Sequence, residues 1–261
     1  MILPEGSEHT TTDYLATTQA SALLERRAQP VANRATNKDK IKSAAPCFLA
    51  VWLVRPHVPQ IAPERCFAPY PAEAMVVPDS SVASNVPPAA LRRSNRRVWQ
   101  MNEAQKQQTI AAYLASVQFM DEQVGRLLAT LDRLDLRRNT IVVFMSDHGY
   151  NLGEHDCWSK VSLWEGSVSV PLIIAPPPAF APAGITCTGL TELIDLYPTL
   201  ADLCGLASEA PAILQGKSLA GVLRTGATAT ARQAAYTITG GGASLRTDRW
   251  RYTRWGSEAR S

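Results

Sequence analysis

The residues best suited to chemistry are concentrated in one stretch, IVVFMSDHGYNLGEHDCWSK, running from Ile141 to Lys160. Asp147 offers a hard oxygen ligand and His148 an imidazole, while Gly149 lets the backbone turn sharply and approach a ligand closely. Glu154, His155 and Lys160 add further ionisable groups to the same loop. An isolated Asp-His pair reads equally well as a turn cap; the charges crowded behind this one favour a site. A second candidate, His57, lies in Arg55-Pro56-His57-Val58-Pro59. Prolines on either side predict a stiff, extended backbone there, suited to a positioned side chain. A lone histidine is more often structural, and nothing local to His57 decides otherwise.

Both candidates follow apolar runs that must position them. Ile141-Val142-Val143-Phe144-Met145 is short, unalternating and β-branched, which predicts a strand buried on both faces of a parallel sheet. Asp147 and His148 then fall just past its carboxyl end, where open α/β sheets place ligands. Cys47 to Leu53 predicts a second such strand leading to His57, and Val168 to Ile174 a third, closed by Pro176-Pro177-Pro178. Between them run helical patterns. Thr11 to Arg27 reads as an amphipathic helix capped by Asp13 or a neighbouring Thr. Lys106 to Leu136 carries an apolar stripe through Ile110, Leu114, Val117, Phe119 or Met120, Val124, Leu127, Leu128, Leu131 and Leu134, and is expected to pack on the central sheet. Asp195 should cap a short helix with Pro198 in its first turn and Gly205 near its end.

The remaining segments read as connections. Ala28 to Ala45 is polar and loop-like, and Pro59 to Val98, rich in Pro, Ala and Ser, predicts a long surface excursion. Thr225 to Thr230 is small and polar, a linker. Beyond it, Ala235 to Ile238 and Ser244 to Trp255 predict antiparallel strands around Gly240-Gly241-Gly242. The fold class expected is therefore α/β, with Phe48–Leu53, Ile141–Met145 and Val170–Ile174 in a mostly parallel central sheet flanked by helices. Residues 1–224 would belong to that domain and residues 225–261 to the start of a small antiparallel subdomain.

Composition excludes several classes. A net charge of +3, without a basic stripe and interleaved aromatics, gives no footprint for nucleic acid. No run reaches the ~18 apolar residues of a membrane span, and Met1-Ile2-Leu3-Pro4-Glu5 does not open a secretory signal. Localisation is not legible. Five cysteines, scattered and never spaced as CxxC, form neither a zinc motif nor a disulfide framework.

The segment SDHGYNLGEHDCWSK, followed by SLWEGSVSVPLII, resembles the sulfatase family, in particular its iduronate-2-sulfatase-like branch. That branch reads S-D-H-G-x-x-L-G-E-H-x-x-W-x-K, then S-L-x-E and a V-P-L-I strand. Arg55-Pro56-His57-Val58-Pro59 is similar to the family's R/K-P-H-x-P element, and Leu193 to Leu200 to its D-L-x-P-T-L element. Arg246 to Tyr252 resembles the start of the family's small C-terminal subdomain.

The resemblance implies hydrolysis of sulfate esters of a small molecule or glycan, with an alkaline-phosphatase-like fold. It implies that Lys160 stabilises charge on the sulfuryl oxygens and that His57 does the same or serves as general acid. Asp147 and His148 would be metal ligands for a divalent cation, calcium or else magnesium; a hard cation prefers oxygen, so Asp147 is the stronger of the two. The family's nucleophile is a formylglycine made in a C/S-x-P-S-R motif, and no such pentapeptide occurs in these 261 residues. Its strand ending in paired aspartates is also missing. The expectation is a partial sulfatase matching the second half of the catalytic domain, inactive alone, with an N-terminal segment as its missing partner. A phosphate or phosphonate ester hydrolase of the same superfamily, and a non-catalytic protein that binds sulfated ligands or a partner chain, are the competing readings.

Overall fold

The computed structural model describes residues 1–29, 46–82, 85–92, 94–177 and 179–256, so most of the polar loop expected over 28–45 lies outside the described residues. The chain divides into two compact units, Met1–Pro78 with Met101–Asn139, and Asp79–Gln100 with Thr140–Ser261.

The first unit is built on two helices. Strand β1 (Ile2–Leu3) precedes α1 (Thr12–Ala28) and pairs in parallel with β2 (Ala62–Pro63). Helix α2 spans Glu103–Arg133 and begins with a capping box: Asn102 Oδ1 accepts from the Gln105 N–H at 3.0 Å and Gln105 Oε1 from the Asn102 N–H at 2.9 Å. The two helices lie side by side, fastened by polar groups as well as apolar ones. The Arg126 guanidinium sits 4.0 Å over the Tyr14 ring and donates to Thr18 Oγ1 at 3.0 Å; Arg133 reaches Glu25 at 2.5 Å. Phe119 and Ala115 of α2 close on Ala62 and Cys66, with Phe67 and Tyr70 against them. The buried residues of α2 are thus Ile110, Ala111, Ala115, Ser116, Phe119, Gln123, Thr130 and Leu131, and within this unit the helix packs on α1 and the 62–74 segment, where a sheet was expected. Small residues conceal burial from a pattern read on large apolar side chains, which is also why 59–98 looked like a surface excursion. In fact Ala62, Cys66 and Ala90 are buried.

Residues 46–53 correct the sequence reading. They form no strand; Phe48 is 84% and Trp52 75% exposed. Their β-branched and aromatic composition fits a pleated surface, but a strand exists only where a neighbour completes its ladder.

The second unit opens on β3 (Val142–Met145), followed by the short β4 (Asn151–Leu152), β5 (Trp158–Ser159) and one-turn α3 (Glu165–Val168) before β6 (Leu172–Ala175). Strands β3 and β6 pair with each other antiparallel, Val142 opposite Ala175 and Met145 opposite Leu172. The expected parallel relation between these runs is therefore wrong. Unalternating apolar patterns record burial, and strand direction leaves no mark in them. Helix α4 (Leu196–Leu203) is followed by Gly205 at φ +73°, as its sequence suggests. Asp195, however, makes no side-chain cap to α4; its carboxylate accepts from the Glu192 N–H at 2.9 Å, in the capping box of the 3-10 turn just before the helix. Its buried carboxylate accepts from the Lys217 N–H at 2.7 Å and pairs with Arg232. Burial alone would push this carboxyl up, but the guanidinium and the backbone N–H groups hold it below the usual aspartate range. After α5 (Ala220–Thr225), the strands β7 (Ala235–Thr239), β8 (Gly242–Arg246) and β9 (Arg251–Trp255) make the antiparallel sheet expected at this end of the chain.

Candidate active site

The loop from β3 to β6 is folded by a small hairpin. Asn151 pairs with Ser159 and Leu152 with Trp158, and the Gly153 N–H donates to the Cys157 carbonyl at 3.0 Å. This reversal turns twelve residues of separation into contact: Lys160 Nζ stands 3.2 Å from His148 Nε2. His148 Nδ1 lies 2.9 Å from the Gly149 carbonyl. A carbonyl can only accept, so Nδ1 carries the proton and Nε2 offers its lone pair to the lysine ammonium. Asp147 is next to them and more exposed, its carboxylate 64% accessible and accepting from the His148 N–H at 3.0 Å.

Beneath this pair lies a polar core that the sequence did not announce. Asn151, Ser162 and Ser167 are all buried. The Asn151 amide group reaches Ser167 Oγ at 2.7 Å, Ser162 Oγ at 3.2 Å and the Ser159 carbonyl at 3.3 Å, joining both legs of the hairpin to the start of α3. Gly149 donates to the Ser167 carbonyl at 2.8 Å. A Cβ at Gly149 would stand 2.1 Å from the Gly166 carbonyl oxygen, and one at Gly166 2.5 Å from Asn151 Oδ1. Gly149 is thus required by close approach to another backbone, where the sequence reading assigned it to approaching a ligand. The two glycines were the only legible signal of this contact.

Lys160 is presented on a strained backbone. His155, Asp156, Ser159 and Val161 all have φ between +55° and +77°, so residues on both sides of Lys160 are left-handed. For a β-branched residue such as Val161 this is a genuine outlier, and strain of this kind gathers at functional sites. The loop is held by its neighbours: His155 stacks on Trp164 at 4.0 Å, and Trp164 Nε1 donates to the Ala90 carbonyl at 3.0 Å. Glu154 accepts from the Leu152 N–H at 2.8 Å. Glu154 and His155 therefore shape the loop around the Lys160–His148 contact.

His57 belongs to the first unit. Its segment is a turn and not the extended backbone predicted, closed by the His57 N–H on the Val54 carbonyl at 2.9 Å. Its Nδ1 lies 2.7 Å from the Val58 carbonyl, which again places the proton on Nδ1 and leaves Nε2 open. The structure thus brings Asp147, His148 and Lys160 together within the second unit, and His57 lies in the first.

Among the described residues, no group of three or more His, Cys, Asp or Glu side chains gathers as a cation site. One exposed carboxylate and an imidazole whose Nε2 faces an ammonium fall short of the roughly six to eight oxygens that calcium takes, so these residues alone do not fit a tightly held cation. No helix among the described residues is long and apolar enough to cross a membrane.

Residues 9–206 match the family model described as Sulfatase. The iduronate 2-sulfatase of Mus musculus is 34% identical over 242 residues, covering 78% of this chain and 41% of the relative. A protein solved in complex with its substrate, D-glucosamine-2-N,6-O-disulfate, is 31% identical, with a TM-score of 0.55 over 62% of this chain and 35% of its own. The phosphonate monoester hydrolase of Silicibacter pomeroyi superposes with a TM-score of 0.74 over 95% of this chain and 52% of its own; at 22% identity this is a likeness of fold. The chain spans well under half the length of the curated relatives it matches.

Proposed function

Because this chain belongs to the sulfatase family, we propose that it carries the sulfuryl-gripping part of a sulfuric ester hydrolase acting on a sulfated small molecule or glycan. The observation that carries this reading is the Lys160 ammonium fixed 3.2 Å from His148 Nε2, past the carboxyl end of β3. As the ester S–O bond breaks, negative charge grows on the oxygens around sulfur, and an ammonium already held in place stabilises it without reorganising. His57 is the second proposed contact. Its open Nε2, once protonated, would donate to a sulfuryl oxygen or to the leaving alcohol.

Asp147, with His148 as the weaker donor, is proposed as this chain's contribution to a divalent cation, calcium or magnesium. No chemical step is assigned to that ion. A cation at His148 Nε2 would have to displace Lys160, so the two roles exclude each other in the arrangement described. The mostly parallel sheet read from the sequence is proposed for a complete sulfatase fold, within which β3 and β6 are an antiparallel pair. Residues 1–224 and 225–261 are proposed as parts of its catalytic domain and C-terminal subdomain.

The C/S-x-P-S-R pentapeptide does not occur in these 261 residues. Burial pushes the Cys66 thiol up to about 12 and the Cys157 thiol up to about 11, so neither is a thiolate at neutral pH nor a substitute nucleophile. Turnover is therefore expected only when the chain is joined to a nucleophile-bearing sulfatase N-terminal half and coexpressed with a formylglycine-generating system. In that fusion, Lys160→Ala should lower kcat/KM for an aryl sulfate by about a hundredfold or more. Unchanged kcat/KM would remove Lys160 from the mechanism.

A further inference from the structure

The segment that presents His57 exposes its apolar side chains and forms no strand, yet its turn is tied down from a distance. Asp13, in the first turn of α1, is completely buried. It is not the helix cap; Thr11 is, accepting from the Tyr14 N–H at 3.3 Å. Instead Asp13 Oδ1 accepts from the Val54 N–H at 2.5 Å and the Arg55 N–H at 3.1 Å, across more than forty residues of sequence. Its Oδ2 faces Arg55 Nε at 3.9 Å. Neither of those two atoms, both buried, has a hydrogen-bond partner, so the carboxylate is oriented by the two backbone N–H groups. The Val54 carbonyl, on the far side of the residue that Asp13 grips, accepts from the His57 N–H at 2.9 Å. Arg55 in turn donates from a terminal nitrogen to the His57 carbonyl at 3.3 Å. Every link from α1 to the imidazole is thus a hydrogen bond to backbone.

We propose that Asp13 is a positioning residue that anchors the 54–57 turn to α1 and thereby fixes the orientation of His57 Nε2. Charged acceptors of backbone N–H groups are the stronger class of hydrogen bond, and one carboxylate taking two successive N–H groups sets direction as well as distance. Without it, nothing in the turn's own hydrogen bonds would hold it to the helix. That the turn serves sulfate binding rests on the function proposed above; the anchor itself does not.

Amide exchange and imidazole NMR on the full chain test it. In the wild type, His57 should show the Nδ1–H tautomer. In Asp13→Ala, exchange at Val54 and Arg55 should speed by about tenfold or more and the His57 tautomer should become mixed, while Ala115 and Phe119 in α2 exchange as before. Asp13→Asn, which keeps a neutral acceptor at the same place, should retain the tautomer and speed exchange at Val54 and Arg55 about threefold. If Asp13→Ala does not fold, that selective threefold change carries the test. Unchanged exchange at Val54 and Arg55 in a folded variant, or equal acceleration throughout α2, would overturn the anchor. Inorganic sulfate separates the two claims: if it leaves His57 unmoved while the exchange effect stands, the sulfate role of His57 fails and the anchor survives.

Discussion

The loop between β3 and β6 takes much of its order from its own residues, with Trp164 tied out to the Ala90 carbonyl, whereas the stretch from 46 to 58 does not. In the loop, a buried asparagine and two buried serines bind both legs of a hairpin, and two glycines let the backbones touch. In the other stretch, Phe48 and Trp52 stand in solvent, and the turn holding His57 is gripped from outside by one carboxylate. A site can therefore be built by local polar packing or by borrowing order from a distant element. Only the first kind leaves a dense motif in the sequence.

This contrast can be broken by mutation. The largest effect is expected for Gly149→Ala, whose new Cβ would meet a backbone oxygen 2.1 Å away that no rotamer can move. Thermal and urea unfolding should show a loss of about 3 kcal/mol, the upper end for overpacking. A loss under about 1 kcal/mol would mean that the loop is looser than described.

A smaller change of opposite sign is expected at Val161, which is 60% exposed and held at φ +65°. Left-handed backbone costs a β-branched residue about 1–2 kcal/mol, and glycine relieves it while adding about 0.5–1 kcal/mol of unfolded-state entropy. Strain wins, so Val161→Gly should stabilise by about 0.5–1 kcal/mol in the same unfolding experiment. Destabilisation would show that Val161 is not strained. Smallest of all, Phe48→Ser should shift stability by no more than about 0.5 kcal/mol, because the ring is already in water. A loss of about 2 kcal/mol or more would place Phe48 in a core and erase the contrast.

The same contrast explains what could be read from the amino acids. The segment from Asp147 to Lys160 was legible because its chemistry, its glycines and its strand lie within one short run. The antiparallel β7–β9 sheet was legible through its alternating side chains and glycine turn. What α2 packs on was not, because the apolar stripe marks which side is buried, Ile110, Phe119 and Leu131 included, and says nothing of which element covers it. Nor was the direction of β3 against β6, or the absence of a strand over 46–53, since both depend on which strand lies alongside. Of the two caps offered for α1, Asp13 or a neighbouring Thr, it is Thr11 that caps; the partners of Asp13 lie more than forty residues away, where no local pattern points.

The central claim is that Lys160, braced against His148, grips the sulfuryl group. Its most direct test is titration of the folded chain with inorganic sulfate, following the His148 imidazole by NMR in the wild type and in Lys160→Ala. A saturable shift of His148 is expected, weakening about tenfold or more without the ammonium, the usual scale for losing a charge-assisted contact. An equal response in both proteins, or none in the wild type, would contradict it.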